Sequence, residues 1–236
     1  MLSVIEKKYT SVNMLCLTLQ GKQLEDAVWK PGCYVKLMIP DGEKMRMRTY
    51  TARSFDPQRQ SIDIEFAIHY PAGPATRWAL DAQIGDEIEI KGPGHLRIDP
   101  TQGDWYLFAA DMSALPAMIS IMESLPAHAK GYAFFEVMDA QDKQEVKIQA
   151  DIEIEWFIHP NPKERSPRQL QAIQSLTLLE GTPTVIMAGE LGTIREIRQY
   201  LTEAEPFKDA HMYMSSYWKI GSNEEEHKQA KRLMRR

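Results

Sequence analysis

The chain is 236 residues long, 43% hydrophobic and 26% charged, with a formal net charge of -5. That length supports one large or two small domains with substantial cores, and the composition is ordinary for a globular protein. The acidic balance excludes a global attraction to nucleic acid or to an anionic membrane surface. No apolar run is long enough to cross a bilayer. The N-terminal stretch from Met1 to Lys8 lacks a signal-peptide core, and Cys16 and Cys33 form no metal-type spacing. We therefore expect a cytoplasmic protein in a reducing compartment, without membrane insertion and without a nucleic-acid partner.

In chain order, Leu2 to Gln20 reads as two strands broken near Ser11-Val12-Asn13. Trp29-Lys30-Pro31-Gly32 is a turn signal, and Cys33 to Ile39 is a strand closed by Pro40-Asp41-Gly42. Met45 to Ser54 follows, then a hairpin connection over Asp56 to Gln60. Ile62, Ile64, Phe66 and Ile68 alternate with Asp63, Glu65 and Ala67, the clearest strand in the sequence. Glu87 to Ile90 is a further strand before Gly92-Pro93-Gly94. Short strands with turns every ten to fifteen residues predict a small antiparallel barrel.

The pattern changes near Ile98-Asp99-Pro100. Trp105 to Ala110, Tyr132 to Met138, Ile152 to Ile158 and Thr184 to Ala188 are apolar strand runs, and His211 to Ser215 is a last strand. Between them, helices are expected over Ser113 to Ser124, from Ser166-Pro167 to about Leu179, and from a Thr193/Glu196 capping box to about Glu203. A final helix opens at a Ser222/Glu225 capping box. Its acidic start, Glu224 to Glu226, and its basic end, Lys231, Arg232, Arg235 and Arg236, match the helix dipole. Alternating strands and helices predict a parallel sheet covered on both faces. The fold class is thus an antiparallel β-barrel over residues 1–99 followed by an α/β parallel-sheet domain over residues 100–236.

Two stretches carry candidate chemistry. In Arg48-Thr49-Tyr50-Thr51-Ala52-Arg53, one strand face holds Arg48, Tyr50 and Ala52, and the other Thr49, Thr51 and Arg53. An arginine, a ring and a hydroxyl so placed suit the phosphate, planar ring and heteroatoms of a flavin dinucleotide; an exposed strand with solvated arginines has the same pattern. The second stretch is His69-Tyr70-Pro71-Ala72-Gly73-Pro74-Ala75-Thr76-Arg77-Trp78-Ala79. A Gly-Pro turn running into a helix presents free N–H groups to a phosphate, and Thr76 adds a hydroxyl. A plain strand-to-helix turn reads the same way, so it is the pairing of the two stretches that suggests one dinucleotide pocket.

Arg48-Thr49-Tyr50-Thr51 resembles the R-x-Y-T signature of ferredoxin-reductase-like flavoproteins. More narrowly, the chain resembles the siderophore-interacting proteins, FAD-dependent ferric-siderophore reductases. Further support comes from Val35-Lys36-Leu37, Ile64 to His69, Gly73-Pro74-Ala75 with Trp78-Ala79, Ala114-Leu115-Pro116-Ala117, Ala188-Gly189-Glu190, and Tyr217-Trp218-Lys219-x-Gly221. The resemblance implies FAD as cofactor, with NADH, NADPH or a ferredoxin as electron donor and a ferric siderophore as substrate. It implies that Arg48 binds pyrophosphate, that Tyr50 packs beside the flavin or its ribityl chain, and that Thr51 bonds near flavin N5. Ala52 and His69 lie close to the cofactor, and Gly73, Ala75 and Thr76 contact phosphate. Trp78 is packing, and Trp218, with Tyr217, lies at the open side of the flavin. Asp111, Pro116, Gly189 and Glu190 line the nicotinamide edge.

Lys36 matches a basic position that meets the anionic chelate, and Lys219, Lys228, Lys231 and Arg232 are further candidates from the basic C-terminal end. The chain departs from the family in having Met112 within Ala110-Asp111-Met112-Ser113, and it contains no G-x-G-x-x-G. No protein metal ligand and no nucleophile is expected, and the working unit is expected to be a monomer. The rival readings are a flavin or ferredoxin-type reductase of the same architecture and a non-enzymatic siderophore-binding module.

Overall fold

A computed structural model describes residues 1–99 and 102–233. Pro100, Arg235, Arg236 and the side chains of Glu224 and Glu225, named above, lie outside the described residues. The N-terminal part contains strands β1 (Leu2–Ser11), β2 (Met14–Gln20), β3 (Tyr34–Asp41), β4 (Lys44–Thr51), β5 (Ser54–Asp56), β6 (Ser61–Ala67), β7 (Glu87–Ile88) and β8 (Ile90–Gly94), with helix α1 (Pro74–Asp81) between β6 and β7. The expected barrel is built as two antiparallel sheets, ordered β5-β6-β2-β1-β7 and β4-β3-β8.

Alternation decides which side chains point inward. Leu15, Leu17 and Leu19 of β2, Val35, Leu37 and Ile39 of β3, and Ile62, Ile64 and Phe66 of β6 meet in one buried core that Ala75 and Ala79 of α1 close. The chain leaves the smaller sheet at Ala52, whose N–H reaches Cys33 O at 2.9 Å, and joins the larger one where Arg53 N–H reaches Asp63 O at 2.8 Å. The single strand expected over Glu87 to Ile90 is instead divided at Glu89. β7 pairs with β1, β8 pairs with β3, and Gly92-Pro93-Gly94 belongs to β8 rather than to a turn. A strand that changes sheets joins the two layers at a corner, which local alternation does not encode.

The C-terminal part contains β9 (Trp105–Ala110), α2 (Leu115–Glu123), β10 (Lys130–Val137), β11 (Asp151–Ile158), α3 (Arg168–Gln174), β12 (Pro183–Glu190), α4 (Leu191–Glu203), β13 (His211–Trp218) and α5 (Glu224–Leu233). Its sheet is parallel, in the order β11-β10-β9-β12-β13. One face packs Tyr106, Phe108, Phe135 and Ile186 against Met118, Ile119 and Met122 of α2. The other packs Trp105, Leu107, Val185 and Met187 against Ile173 of α3 and Ile194, Ile197 and Leu201 of α4. Runs such as Trp105 to Ala110 are buried on both faces, hence their continuous apolar character.

Three helix boundaries differ from expectation. α3 stops at Gln174, and Leu176 and Leu179 pack on the core without helical geometry. α4 begins at Leu191 and is capped by Glu190, whose side chain accepts the Thr193 N–H at 3.0 Å, while Glu196 pairs with Arg165 instead. The capping box of α5 is shifted by one residue. Asn223 N–H donates to Glu226 Oε2 at 2.9 Å, and Glu226 N–H returns to Asn223 Oδ1 at 3.1 Å.

The two parts are joined by charge as well as by apolar contact. Asp142, fully buried between β10 and β11, accepts from Ser11 Oγ at 2.9 Å, Asn13 N at 2.7 Å, Asn13 Nδ2 at 2.8 Å and Asp139 N at 3.0 Å. One carboxylate thus holds the β1–β2 turn against the parallel sheet. Arg53 donates twice to Glu123 of α2, at 2.7 and 2.9 Å, a fork geometry that fixes both planes. Met14 packs into the α2-side core beside them. Replacing Asp142 by Ala takes the acceptor from the part-buried Ser11 and Asn13 donors and from the Asp139 N–H, so Asp142→Ala is expected to cost about 1–3 kcal/mol. Chemical denaturation beside an exposed-carboxylate control, Glu145→Ala, checks this; equal midpoints would refute the role given to Asp142.

Candidate functional site

The first candidate site spans β4 and α1, which are linked through β3 and β6. In the β3–β4 pairing, Tyr50 faces Val35, Arg48 faces Leu37 and Arg46 faces Ile39. Directly opposed residues share a face, so Arg46, Arg48 and Tyr50 project on the core side. Lys36 and Thr49 project on the outer side with the exposed Met45 and Met47. Tyr50 packs on Phe66, with centroids 4.5 Å apart, and Phe66 on Trp78 of α1 at 5.9 Å. The Trp78 expected as packing is therefore part of a ring chain from β4 to the helix.

A second link is electrostatic. Asp41 accepts from Arg46 Nε at 3.1 Å and from Arg77 Nη2 at 3.3 Å, while Arg77 Nη1 reaches Ala72 O at 2.8 Å. Arg48 Nη1 donates to Met47 O at 3.2 Å. Gly73 is the N-cap of α1, with φ -74 and ψ 172, Pro74 opens the helix, and no side chain caps it. A Cβ built on Gly73 would meet nothing within 4 Å. The first-turn N–H groups of Ala75 and Thr76 have no intrahelical acceptor to use. Thr51 and Ala52 are buried at the end of the same strand, whereas His69 is exposed beyond β6. Tyr50 and Arg46 of β4 are thus linked to α1 through Phe66 and Asp41, and Arg48 lies between them on the same strand face. Sequence reading missed Arg46, Asp41 and Arg77, although Arg46 lies two residues before Arg48 and shares its face.

The second candidate site is at the C-terminal ends of β9 and β12. Strand order reverses between these parallel neighbours, and open α/β sheets bind ligands at such a switch point. Asp111 follows β9. Its Oδ1 accepts Ser113 N–H at 2.9 Å and Ser113 Oγ at 2.5 Å, and its Oδ2 accepts Trp218 Nε1 at 2.7 Å. Gly189 sits against it with φ 151, and a Cβ there would lie 2.6 Å from Asp111 Oδ2. Glycine is required both by that backbone conformation and by the approach of the carboxylate. Glu190, besides capping α4, accepts the Ile220 N–H at 3.2 Å.

Desolvation pushes the Asp111 acid above its ordinary value, while the bonds from Ser113 and Trp218 oppose the shift. Burial likewise pushes the Tyr217 phenol up, with Tyr213 next and Asp111 and Tyr34 contributing. Tyr34, whose charge bears on Tyr217, pairs with Thr51 on the barrel. Pro116 lies in the first turn of α2. Trp218, expected beside the flavin, has its indole N–H engaged with the switch-point carboxylate.

The expected chelate-facing cations are spread over separate elements. Lys36 lies on the outer face of β3, opposite Thr49 and Lys91. Lys219 is half-buried in the turn after β13, and Lys228 and Arg232 are exposed on α5. Lys231 points back at the sheet, donating to Ser215 Oγ at 2.8 Å and Ser216 O at 2.6 Å. The buried His227 lies 2.9 Å from Ser216 Oγ through its Nε2. Lys231 and His227 therefore dock α5 on β13, a role the basic run did not reveal.

Comparison with known proteins gives these sites a family. The siderophore-interacting FAD-binding domain model matches residues 39–96, and the siderophore-interacting protein model matches residues 103–221. The chain is 32% identical to the ferric vibriobactin reductase ViuB of Vibrio cholerae over 252 aligned positions, covering 95% of this chain and 91% of that protein. It is 26% identical to the ferric acinetobactin reductase of Acinetobacter baumannii, covering 94% and 78%. The crystal structure of the siderophore-interacting protein SipS from Aeromonas hydrophila superposes with a TM-score of 0.88 at 28% identity, covering 99% of this chain and 96% of that one. The matched segments contain both the arginine strand with its open helix start and the switch-point carboxylates, and the chain belongs to the siderophore-interacting protein family.

Proposed function

We propose that this protein is an FAD-dependent ferric-siderophore reductase that passes electrons from NADH or NADPH to a ferric chelate. Residues 1–99 form the FAD domain and residues 100–236 the donor-side domain. The observation that carries the reading is the coupling of an arginine-bearing strand to an uncapped helix start, through Asp41 between Arg46 and Arg77 and through Tyr50, Phe66 and Trp78. A pyrophosphate fits that donor set: main-chain N–H groups and the helix dipole on one side, a guanidinium on the other. A Cβ at Gly73 would meet no atom within 4 Å, so no side chain covers that point of the helix start.

Arg48 and the amides of Ala75 and Thr76 would hold the pyrophosphate, Thr76 would add its hydroxyl, Tyr50 would pack beside the flavin or its ribityl chain, and Thr51, Ala52 and His69 would lie close to the ring. Bound FAD supplies the conversion of a two-electron hydride donor into one-electron steps. In balance, one NADH or NADPH and two ferric chelates give NAD(P)⁺, a proton and two ferrous ions. Hard oxygen donors hold ferrous iron less tightly than ferric iron, so reduction releases it. Lys36 on the outer face of β3 attracts the anionic chelate, with Lys219, Lys228 and Arg232 as further cations on the C-terminal side. Two free, buried cysteines suit a reducing cytoplasm. One chain supplies every group named, so the working unit is a monomer.

The test is anaerobic. The purified protein should be yellow, bleach with NADH or NADPH, and regain flavin absorbance on adding a ferric siderophore. Reoxidation by ferredoxin or free flavin but not by ferric chelates would move the assignment to the other reductases. A colourless protein that binds no added FAD would leave only a chelate-binding module. Arg48→Ala should weaken FAD binding by about 10- to 100-fold, as loss of a charge-assisted phosphate contact does, with the apo fold intact by circular dichroism. Unchanged FAD affinity would exclude Arg48 from the cofactor. Lys36→Gln should raise the KM for an anionic ferric chelate at low ionic strength, with the difference fading as salt screens it. An identical KM in both proteins at low salt would remove Lys36 from the chelate surface.

A further inference from the structure

In open α/β sheets, nucleotide phosphates are taken up at the helix starts beside the switch point, where N–H groups and the helix dipole meet the anion. Here the donors at both of those starts are already engaged within the chain, by the Glu190 carboxylate at α4 and by main-chain oxygen at α2, where the Asp111 carboxylate binds the turn just before the helix. After β9, Asp111 Oδ1 takes the Ser113 N–H, and the Asp111 carbonyl takes those of Ala114 at 3.0 Å and Leu115 at 3.1 Å. Pro116 contributes none. After β12, Glu190 Oε2 takes the Thr193 N–H. Arg165 lies over the same turn, so that a Cβ on Gly192 would lie 2.7 Å from Arg165 Cδ and 2.9 Å from Glu190 Oε2.

The second oxygen of each carboxylate is bound from outside by one segment, Asp111 Oδ2 by Trp218 Nε1 and Glu190 Oε1 by Ile220 N. The chain from Trp218 to Ile220 is therefore latched across both helix starts. Glu136, at the end of β10, adds a third carboxyl to this edge. Burial pushes its acid up and Asp111 adds to the rise, opposed by a hydrogen bond with Ser166 and by His159 and Arg168.

We propose that Asp111 and Glu190 occupy the places where a donor's pyrophosphate would be gripped, so that the nicotinamide donor is selected by its nicotinamide–ribose end alone. The proposal rests on the NAD(P)H-driven reductase reading above. The adenosine half of the donor then adds little to recognition, and the 2′-phosphate that separates NADPH from NADH is not read. Reduced nicotinamide mononucleotide, which carries the same hydride and lacks the AMP half, serves as a donor nearly as well as the dinucleotides.

The test uses the FAD-loaded full chain under anaerobic conditions and measures the second-order rate constant of flavin bleaching with NADH, NADPH and reduced nicotinamide mononucleotide. All three are expected within about tenfold of one another, since tenfold is only about 1.4 kcal/mol of recognition. A difference above about tenfold between any two overturns the proposal. Calorimetry with ADP-ribose, which has the pyrophosphate and adenosine but no nicotinamide, should show no saturation below about 1 mM; saturable binding under that concentration overturns it independently of turnover. If no nicotinamide bleaches the flavin while dithionite does, the nicotinamide reading fails and this inference with it. Reoxidation of the dithionite-reduced protein by a ferric siderophore would still preserve the chelate-reductase assignment.

Discussion

The amino end of every helix carries N–H groups that no residue of that helix can accept, and the source of the acceptor shapes this molecule. At α4 the acceptor is the Glu190 side chain, and at α2, which no side chain caps, Leu115 N–H turns to the Asp111 carbonyl while the Asp111 carboxylate binds Ser113 just before the helix. At α1 the chain offers Gly73 and Pro74, neither of which has a side-chain acceptor. No side chain caps those donors, and Asp41 joins Arg46 of β4 to Arg77 of the same helix.

The switch-point crevice and the uncapped helix start belong to one body because the seam between them is built from specific polar contacts. Asp142 holds the β1–β2 turn, and Arg53 holds α2. The end of β13 crosses the same seam, where Tyr217 senses both Asp111 of the parallel sheet and Tyr34 of the barrel. Electron transfer between a donor on one side and an acceptor on the other needs such fixed geometry more than it needs acid–base groups. That agrees with a site whose named residues bind and orient rather than attack.

Much of this was legible in the residues. The alternation from Ile62 to Ile68 marked β6, the unbroken apolar run from Trp105 to Ala110 marked a strand covered on both faces, and the change of pattern near Ile98 separated the two architectures. What remained hidden depended on partners far away in sequence. Glu89 divides two strands because β1 and β3 compete for its neighbours. Thr193 and Glu196 match a capping box, but Glu190 at the strand end reaches the Thr193 N–H first and Arg165 draws Glu196 away. Ser222 and Asn223 are both good caps followed by acids, and only the position of the helix on β13 selects Asn223. Lys231 read as a free surface charge because its acceptors, Ser215 and Ser216, lie on another element. Arg48 and Tyr50 share one strand face, as their alternation predicts. The role of Asp41 was not visible, since it comes from pairing Arg46 with Arg77 across the fold.

Gly73 shows two selective pressures meeting at a single codon. Its backbone angles suit any residue, and its Cβ position is empty. A serine or aspartate there would be accepted sterically and would strengthen the helix by roughly a few tenths of a kcal/mol, the usual advantage of a good cap over glycine. The same side chain would take the amides that a phosphate needs. A library screened for heat resistance should therefore enrich polar caps at this position, and a library screened for cofactor retention should purge them.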